Sequence, residues 1–406
     1  MAIASGTPGS AAHSPWLIAN VLAQISFGLL AMTLCLPSMQ EWGDIFSTRQ
    51  ADVQLTFSGY VVAYGALQLV YGPLSDRHGR KPILMLGLVV AGLASIMAAL
   101  STDIATLTAA RVLQGAGSAA SMVVSRSMVQ DLFSGPQRTR VMAYIGMAMG
   151  MCPPLATLIG GQIHVRLGWQ ANFVLLAVLA VLLLVAARLG LPRVAKPAPV
   201  DSHWLRAMLS AYARLLREPR FLLYVAILAA TTATFYAFLA GAPIVLKGYG
   251  IGPDGIGWFI MAVPVSYILG NFMTSRLIAQ AGESRVMAWG QALTLVGLVV
   301  MLVGLVVMLA LGLGGVQTAL AVALPLLILG FGHGLLNPPA LAGTVGVVPA
   351  LAGSAAAVAG LMQQLTGATG GYLVGLVPHE GAVNLGWMML AFALTGAVAQ
   401  YLLRRR

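Results

Sequence analysis

Residues 72–84 read GPLSDRHGRKPIL, a charged stretch set between two apolar runs. Gly72 and Gly79 permit a tight turn, and Asp76 can accept hydrogen bonds or face a helix N-terminus. Arg77, Arg80 and Lys81 hold the turn to one side of a membrane. The runs on either side, 54–73 and 82–100, are each near the roughly 20 apolar residues that a spanning helix needs. The same pattern recurs through the chain. Spans are expected at 16–39, 54–73, 82–100, 104–127, 140–162, 170–191, 221–245, 255–275, 286–311, 317–341, 350–376 and 383–403, with the turn between the ninth and tenth at Gly312–Gly315. Only 8% of the 406 residues are charged and 59% are hydrophobic. A soluble domain carries about 25% charged residues, so the solvent for this chain is lipid, and the fold class is an all-α polytopic membrane protein of twelve helices in two six-helix halves.

The placement of Lys and Arg sets the orientation. Arg77, Arg80 and Lys81 fall in the first loop of one side, Arg126, Arg138 and Arg140 in the second, a basic cluster from Arg188 to Arg220 in the centre, and Arg404 to Arg406 at the end. The other side has Arg49, Arg166 and Lys247, and Arg111 lies within the fourth span. The asymmetry predicts cytoplasmic termini in a bacterial inner membrane. It also accounts for the net charge of +11 without a nucleic-acid partner. The N-terminal segment has no positive n-region, so the first apolar run is read as a retained span. Cys35 and Cys152 sit in apolar runs as small apolar residues, with no disulfide framework, CxxC spacing, metal site or cofactor implied. The polar stretch after the sixth span divides the chain into an N-terminal half, 1–191, a cytoplasmic linker, 192–220, and a C-terminal half, 221–406. Within the linker, Trp204 to Leu216 reads as a short helix on the membrane surface or as part of a mobile connector.

Gly72 to Leu84 resembles the signature loop of the major facilitator superfamily. RVLQGAGSAA, Arg111 to Ala120, resembles the helix 4 motif of its proton-coupled members, and GMCPPLATLIGG, Gly150 to Gly161, the antiporter motif of helix 5 through Gly150, Pro154, Gly160 and Gly161. Pro349 to Gln363, and Ser125 to Gly135, are similar to the bicyclomycin/chloramphenicol resistance (Bcr/CflA) subfamily of drug:proton antiporters. The resemblance implies export of drug-like molecules driven by proton entry. It places Gly72, Asp76, Arg77, Gly79, Arg80 and Asp131 in the conformational switch, with Asp76 facing the helix 11 N-terminus near Ala350 and Asp131 paired with Arg80. One departure stands out. The subfamily's helix 1 acid before a Leu-Pro pair corresponds to Thr33 here, and no Asp or Glu occurs between Met1 and Gln40.

Arg111 inside a span is expensive unless it faces a polar cavity or bonds to carbonyls. It is read as a proton or substrate sensor, or else as a residue that positions helices. His333, deep in the tenth span, can exchange protons near neutral pH or simply pack. Asn20, Gln24, Thr33, Tyr64, Gln68, Asn337 and Gln363 are further candidates for the cavity wall. With Arg111 as the only formal charge deep in the N-terminal half, neutral, zwitterionic or weakly anionic substrates are expected over permanent cations. The expected partners are a small molecule, protons and the bilayer, with one chain sufficient as a monomer. A metabolite exporter or facilitator without proton coupling is the alternative function. No HExxH, P-loop or clustered nucleophile points to an enzyme.

Overall fold

The structure, a computed structural model, describes residues 15–133, 135–192, 204–310, 319–377 and 382–405. Among them the chain is helical, with no strand: α1 Pro15–Thr33, α2 Met39–Ile45, α3 Gln50–His78, α4 Arg80–Ala99, α5 Ile104–Leu132, α6 Gly135–Leu167, α7 Gln170–Gly190, α8 Trp204–Leu216, α9 Pro219–Gly248, α10 Ile256–Ile260, α11 Ala262–Ala281, α12 Glu283–Ala310, α13 Ala319–Gly346, α14 Ala352–Leu376 and α15 Ala382–Arg405. Nine stretches among the described residues are long and apolar enough to cross a membrane: α1, α3, α4, α7, α9, α10 with α11, most of α12 and α13, and α15. At the places read as the fourth, fifth and eleventh spans stand α5, α6 and α14, of 29, 33 and 25 residues. Their sequences are rich in Gly, Ser and other polar residues, which is tolerable because each packs against other helices rather than facing lipid all round.

Two boundaries differ from the sequence reading. A polar loop expected between 127 and 140 is mostly helix, since α5 runs to Leu132 and α6 begins at Gly135. Ser125, Arg126, Ser127, Gln130 and Asp131 end the apolar signal, yet all of them are compatible with a helix that extends into water. Arg126 is therefore helical and not a loop residue. Likewise α3 continues through Pro73 to His78, and the turn proper is Gly79, whose φ of +97° favours glycine. The turn placed at Gly312–Gly315 lies outside the described residues, as does 193–203 of the linker. Where the linker is described, α8 docks by Leu215, buried among Phe221, Val225, Ala355 and Val358.

Small residues set how closely the helices approach. A side chain at Gly115 would meet the backbone of Tyr60, and one at Gly117 the backbone of Gly87 and Ala91, so α5 lies directly on α3 and α4. Helices α1–α7 and helices α9–α15 meet along two seams, α3 with α14 and α6 with α10 and α11. The seams are tight at one end only. Gly375 abuts Ala51, Gly371 abuts Phe57, Gly257 abuts Leu158, and Gly161 abuts the backbone of Pro253 and Asp254. Towards the end that carries Arg77 to Lys81, nothing among the described residues stands within 4 Å of a side chain built at Gly353 or Gly360 of α14. The bundle thus closes at the end of the 34–49 segment and parts at the other. Gly117→Ala is expected to lower the thermal unfolding midpoint in detergent, since overpacking costs about 1–3 kcal/mol. Gly360→Ala, in open space, should leave the midpoint unchanged or raise it by helix propensity.

Candidate functional site

The deepest charge is Arg111. Because α1 ends at Thr33, carbonyls of its last turn lack amide partners. Arg111 supplies donors: Nη1 bonds the Ala31 carbonyl at 2.6 Å and Gln114 Oε1, and Nη2 bonds the Met32 carbonyl at 3.2 Å. Gln114 in turn donates to Ser95 Oγ at 2.7 Å, and the Arg111 guanidinium lies 4.4 Å from the Tyr60 ring centre. The side chain is completely buried. No carboxylate is in ion-pair reach among the described residues. The negative end of the α1 dipole takes the place of one. Thr33 does not join this group, since its hydroxyl donates back to the Leu29 carbonyl at 2.8 Å.

The other candidates fall in separate places. Asn20 donates to the Ala186 carbonyl, and Gln24 to Asn20 and the Leu183 carbonyl, so this pair ties α1 to α7. Tyr64 stacks on Tyr60 at 5.9 Å and is buried, with a hydroxyl that finds no partner. Gln68 is half-buried one turn further along α3. In the C-terminal half, Gln363 accepts from Thr232 at 3.2 Å, and Asn337 Oδ1 lacks a donor. His333 is buried in a closely packed group with Thr231, Thr234, Gln291 and Thr294, and its Nε2 has no partner among the described residues. The structure therefore groups Arg111 with Tyr60 and Tyr64, and leaves His333 in a separate bundle.

At the open end, Arg80 donates from Nε to Asp131 at 3.0 Å and from Nη1 to Ser75 at 2.8 Å, and it also pairs with Asp76. Gly72 and Arg77 flank this cluster on α3. Asp76 is thus held inside its own half. In the helix 5 motif, Pro154 is buried within α6, Gly150 faces Ile268, Gly160 lies on the Leu34 backbone, and Gly161 meets the opposite half.

Sequence reasoning missed several groups. Arg126 lies exposed on α5. It donates to Met149 Sδ at 2.9 Å and is an electrostatic neighbour of Tyr64. Arg111 is therefore not the only charge within the N-terminal half. At the closed end, Gln40 donates to the Pro243 and Ile251 carbonyls, Gln54 to the Ala240 carbonyl at 3.0 Å, and Ser58 to the Ala368 carbonyl at 2.9 Å. Lys247 reaches the Gln40 carbonyl and Asp44. The hydrogen bond from Lys247 holds the Asp44 carboxyl below the usual carboxylate range, so this contact persists at neutral pH and is lost only as pH falls through that lowered value.

The sequence matches the family model of the Major Facilitator Superfamily over residues 16–371. It is 27% identical over 383 residues to "Multidrug resistance protein D" of Escherichia coli (strain K12), covering 93% of each chain. It is 28% identical over 394 residues to "Chloramphenicol resistance protein" of Pseudomonas aeruginosa, covering 93% of this chain and 88% of that one. The fold matches a bacterial homolog of the human lysosomal transporter Spinster, solved in an inward-facing, unoccupied conformation, with a TM-score of 0.74 at 14% identity over 97% of this chain and 98% of that one.

Arg111→Ala should lower stability in detergent by about 1.5–3 kcal/mol, the worth of a buried bond to a charged donor, and Arg111→Lys should restore part of it. Unchanged thermal unfolding with lost transport would instead assign Arg111 to protons or substrate.

Proposed function

The chain belongs to the Major Facilitator Superfamily, and from that premise we propose that it exports small drug-like or amphiphilic molecules from the cytoplasm by alternating access, in exchange for protons. The observation that carries this reading is the one-ended closure of the two seams. With Lys and Arg concentrated at the open end and the termini cytoplasmic in a bacterial inner membrane, the cleft faces the compartment from which an exporter loads. Residues 1–191 and 221–406 act as the two rocking halves, joined through 192–220, and a single chain supplies the whole pathway.

Outward opening requires the cytoplasmic ends to meet. Asp76 then passes from Arg80 to the helix N-terminus near Ala350, which replaces one favourable partner with another. Relatives that carry the names multidrug resistance protein and chloramphenicol resistance protein support drug-like cargo. Proton exchange has no helix 1 acid to use, and His333 is the remaining histidine or carboxylate deep within the described spans. That same missing acid favours the second reading, a dedicated metabolite exporter or facilitator without proton coupling.

Growth inhibition of a pump-deficient bacterium expressing the chain tests the proposal. Higher inhibitory concentrations for several unrelated antimicrobials, lost on Arg111→Ala at equal membrane abundance, are expected. Protection against none of them would set the multidrug reading aside in favour of a metabolite carrier.

A further inference from the structure

We propose that the cleft selects amphiphilic anions, with Arg126 holding the anionic group beside the Tyr64 hydroxyl and Met149 flanking the apolar part. The inference rests on the efflux reading and names its substrate class.

Four observations carry it. First, Arg126 has no carboxylate within ion-pair distance among the described residues, and its recorded contact is the neutral Met149 thioether. A cation left so in a membrane helix needs water or an anion from outside the chain. Second, its neighbours place it on the wall that faces the opposite half. Tyr64 adjoins Gly65, which packs on Gln364 of α14, and Met149 adjoins Gly150, which packs on Ile268 of α11. This places Arg126 between helices of the two seams, six residues or roughly 9 Å inside the end of α5. Third, the Tyr64 hydroxyl is buried without a partner among the described residues, and Tyr64 is an electrostatic neighbour of Arg126. Fourth, no Asp or Glu occurs in α1, α6, α7, α9, α11, α13, α14 or α15, nor between Val53 and Ser75 of α3 or Ile104 and Gln130 of α5. A permanent cation in the cleft would meet Arg126, with Arg111 behind the stacked Tyr60 and Tyr64 rings, and no compensating carboxylate. An anion would meet a charge-assisted, potentially bidentate donor with an apolar wall alongside.

Fluorescein and rhodamine 6G share a xanthene skeleton and differ in the sign of their charge. Binding of each to the purified full-length protein in neutral detergent is measured by fluorescence anisotropy. Fluorescein should bind at least about tenfold more tightly than rhodamine 6G, and Arg126→Gln should remove about that factor, the worth of one charge-assisted contact. Arg126→Lys should recover part of it, and unchanged thermal midpoints would exclude a folding defect. Equal binding of the two dyes, or fluorescein binding unaltered by Arg126→Gln, overturns the proposal. So does displacement of a lipid-like occupant only, in which phosphatidylglycerol protects Arg126 but soluble anions do not. Protection of cells by the parent chain against a neutral antimicrobial reports separately on the efflux reading, which stands or falls independently of the dyes.

Discussion

A bilayer core offers no hydrogen-bond partner, so every polar group placed there must be satisfied by the chain or by water in a cleft. Arg111 meets most of that demand internally, through the carbonyls left free where α1 stops and through Gln114, with its Nε left without a partner among the described residues. Arg126 does not, and it stands exposed, with the Met149 thioether as its hydrogen-bond partner. The bonds joining the halves obey the same constraint in a form that can be undone. Gln40, Gln54 and Ser58 donate to backbone carbonyls of the opposite half. Such bonds are worth about 0.5–1.5 kcal/mol each when net of water. Their partners are neutral, so parting the halves strands no buried charge. A closure of this strength is what the proposed alternation would need, since a ligand can shift a population only between states a few kcal/mol apart.

Shape does the rest. At Gly161 and Gly257 the halves approach until backbone meets backbone or side-chain stem, while Gly353 and Gly360 of α14 meet nothing among the described residues. One helix therefore records both conditions, packed at one end and parted at the other. Asp76, Arg80 and Asp131 form a cluster at the parted end that ties the α3–α4 turn to α5.

The fold was legible because lipid imposes a long apolar period and a one-sided distribution of Lys and Arg, and the glycines and charges of 72–84 add a specific signature. Helix ends were less legible. Ser125 to Asp131 are polar, and hydropathy cannot distinguish a polar helix beside a cleft from a loop, so Arg126 was misassigned. The candidate wall was hardest to read. Asn20 and Gln24 have the composition of cavity residues but spend their bonds on α7, because polarity in a span does not reveal which neighbour it serves. The carbonyls that accept from Gln40 and Gln54 have no signature in side-chain sequence at all.

The most direct test of alternating closure is a pair of spin-label distances, one between 78 and 353 at the parted end and one between 44 and 247 at the closed end, in the parent and in Gly161→Val. A side chain at Gly161 collides with the Pro253 backbone and so opposes the closed seam. The account predicts that the substitution lengthens the 44–247 distance and shortens the 78–353 distance together. Distances that move in the same direction, or a lengthening at one end with no response at the other, would contradict it.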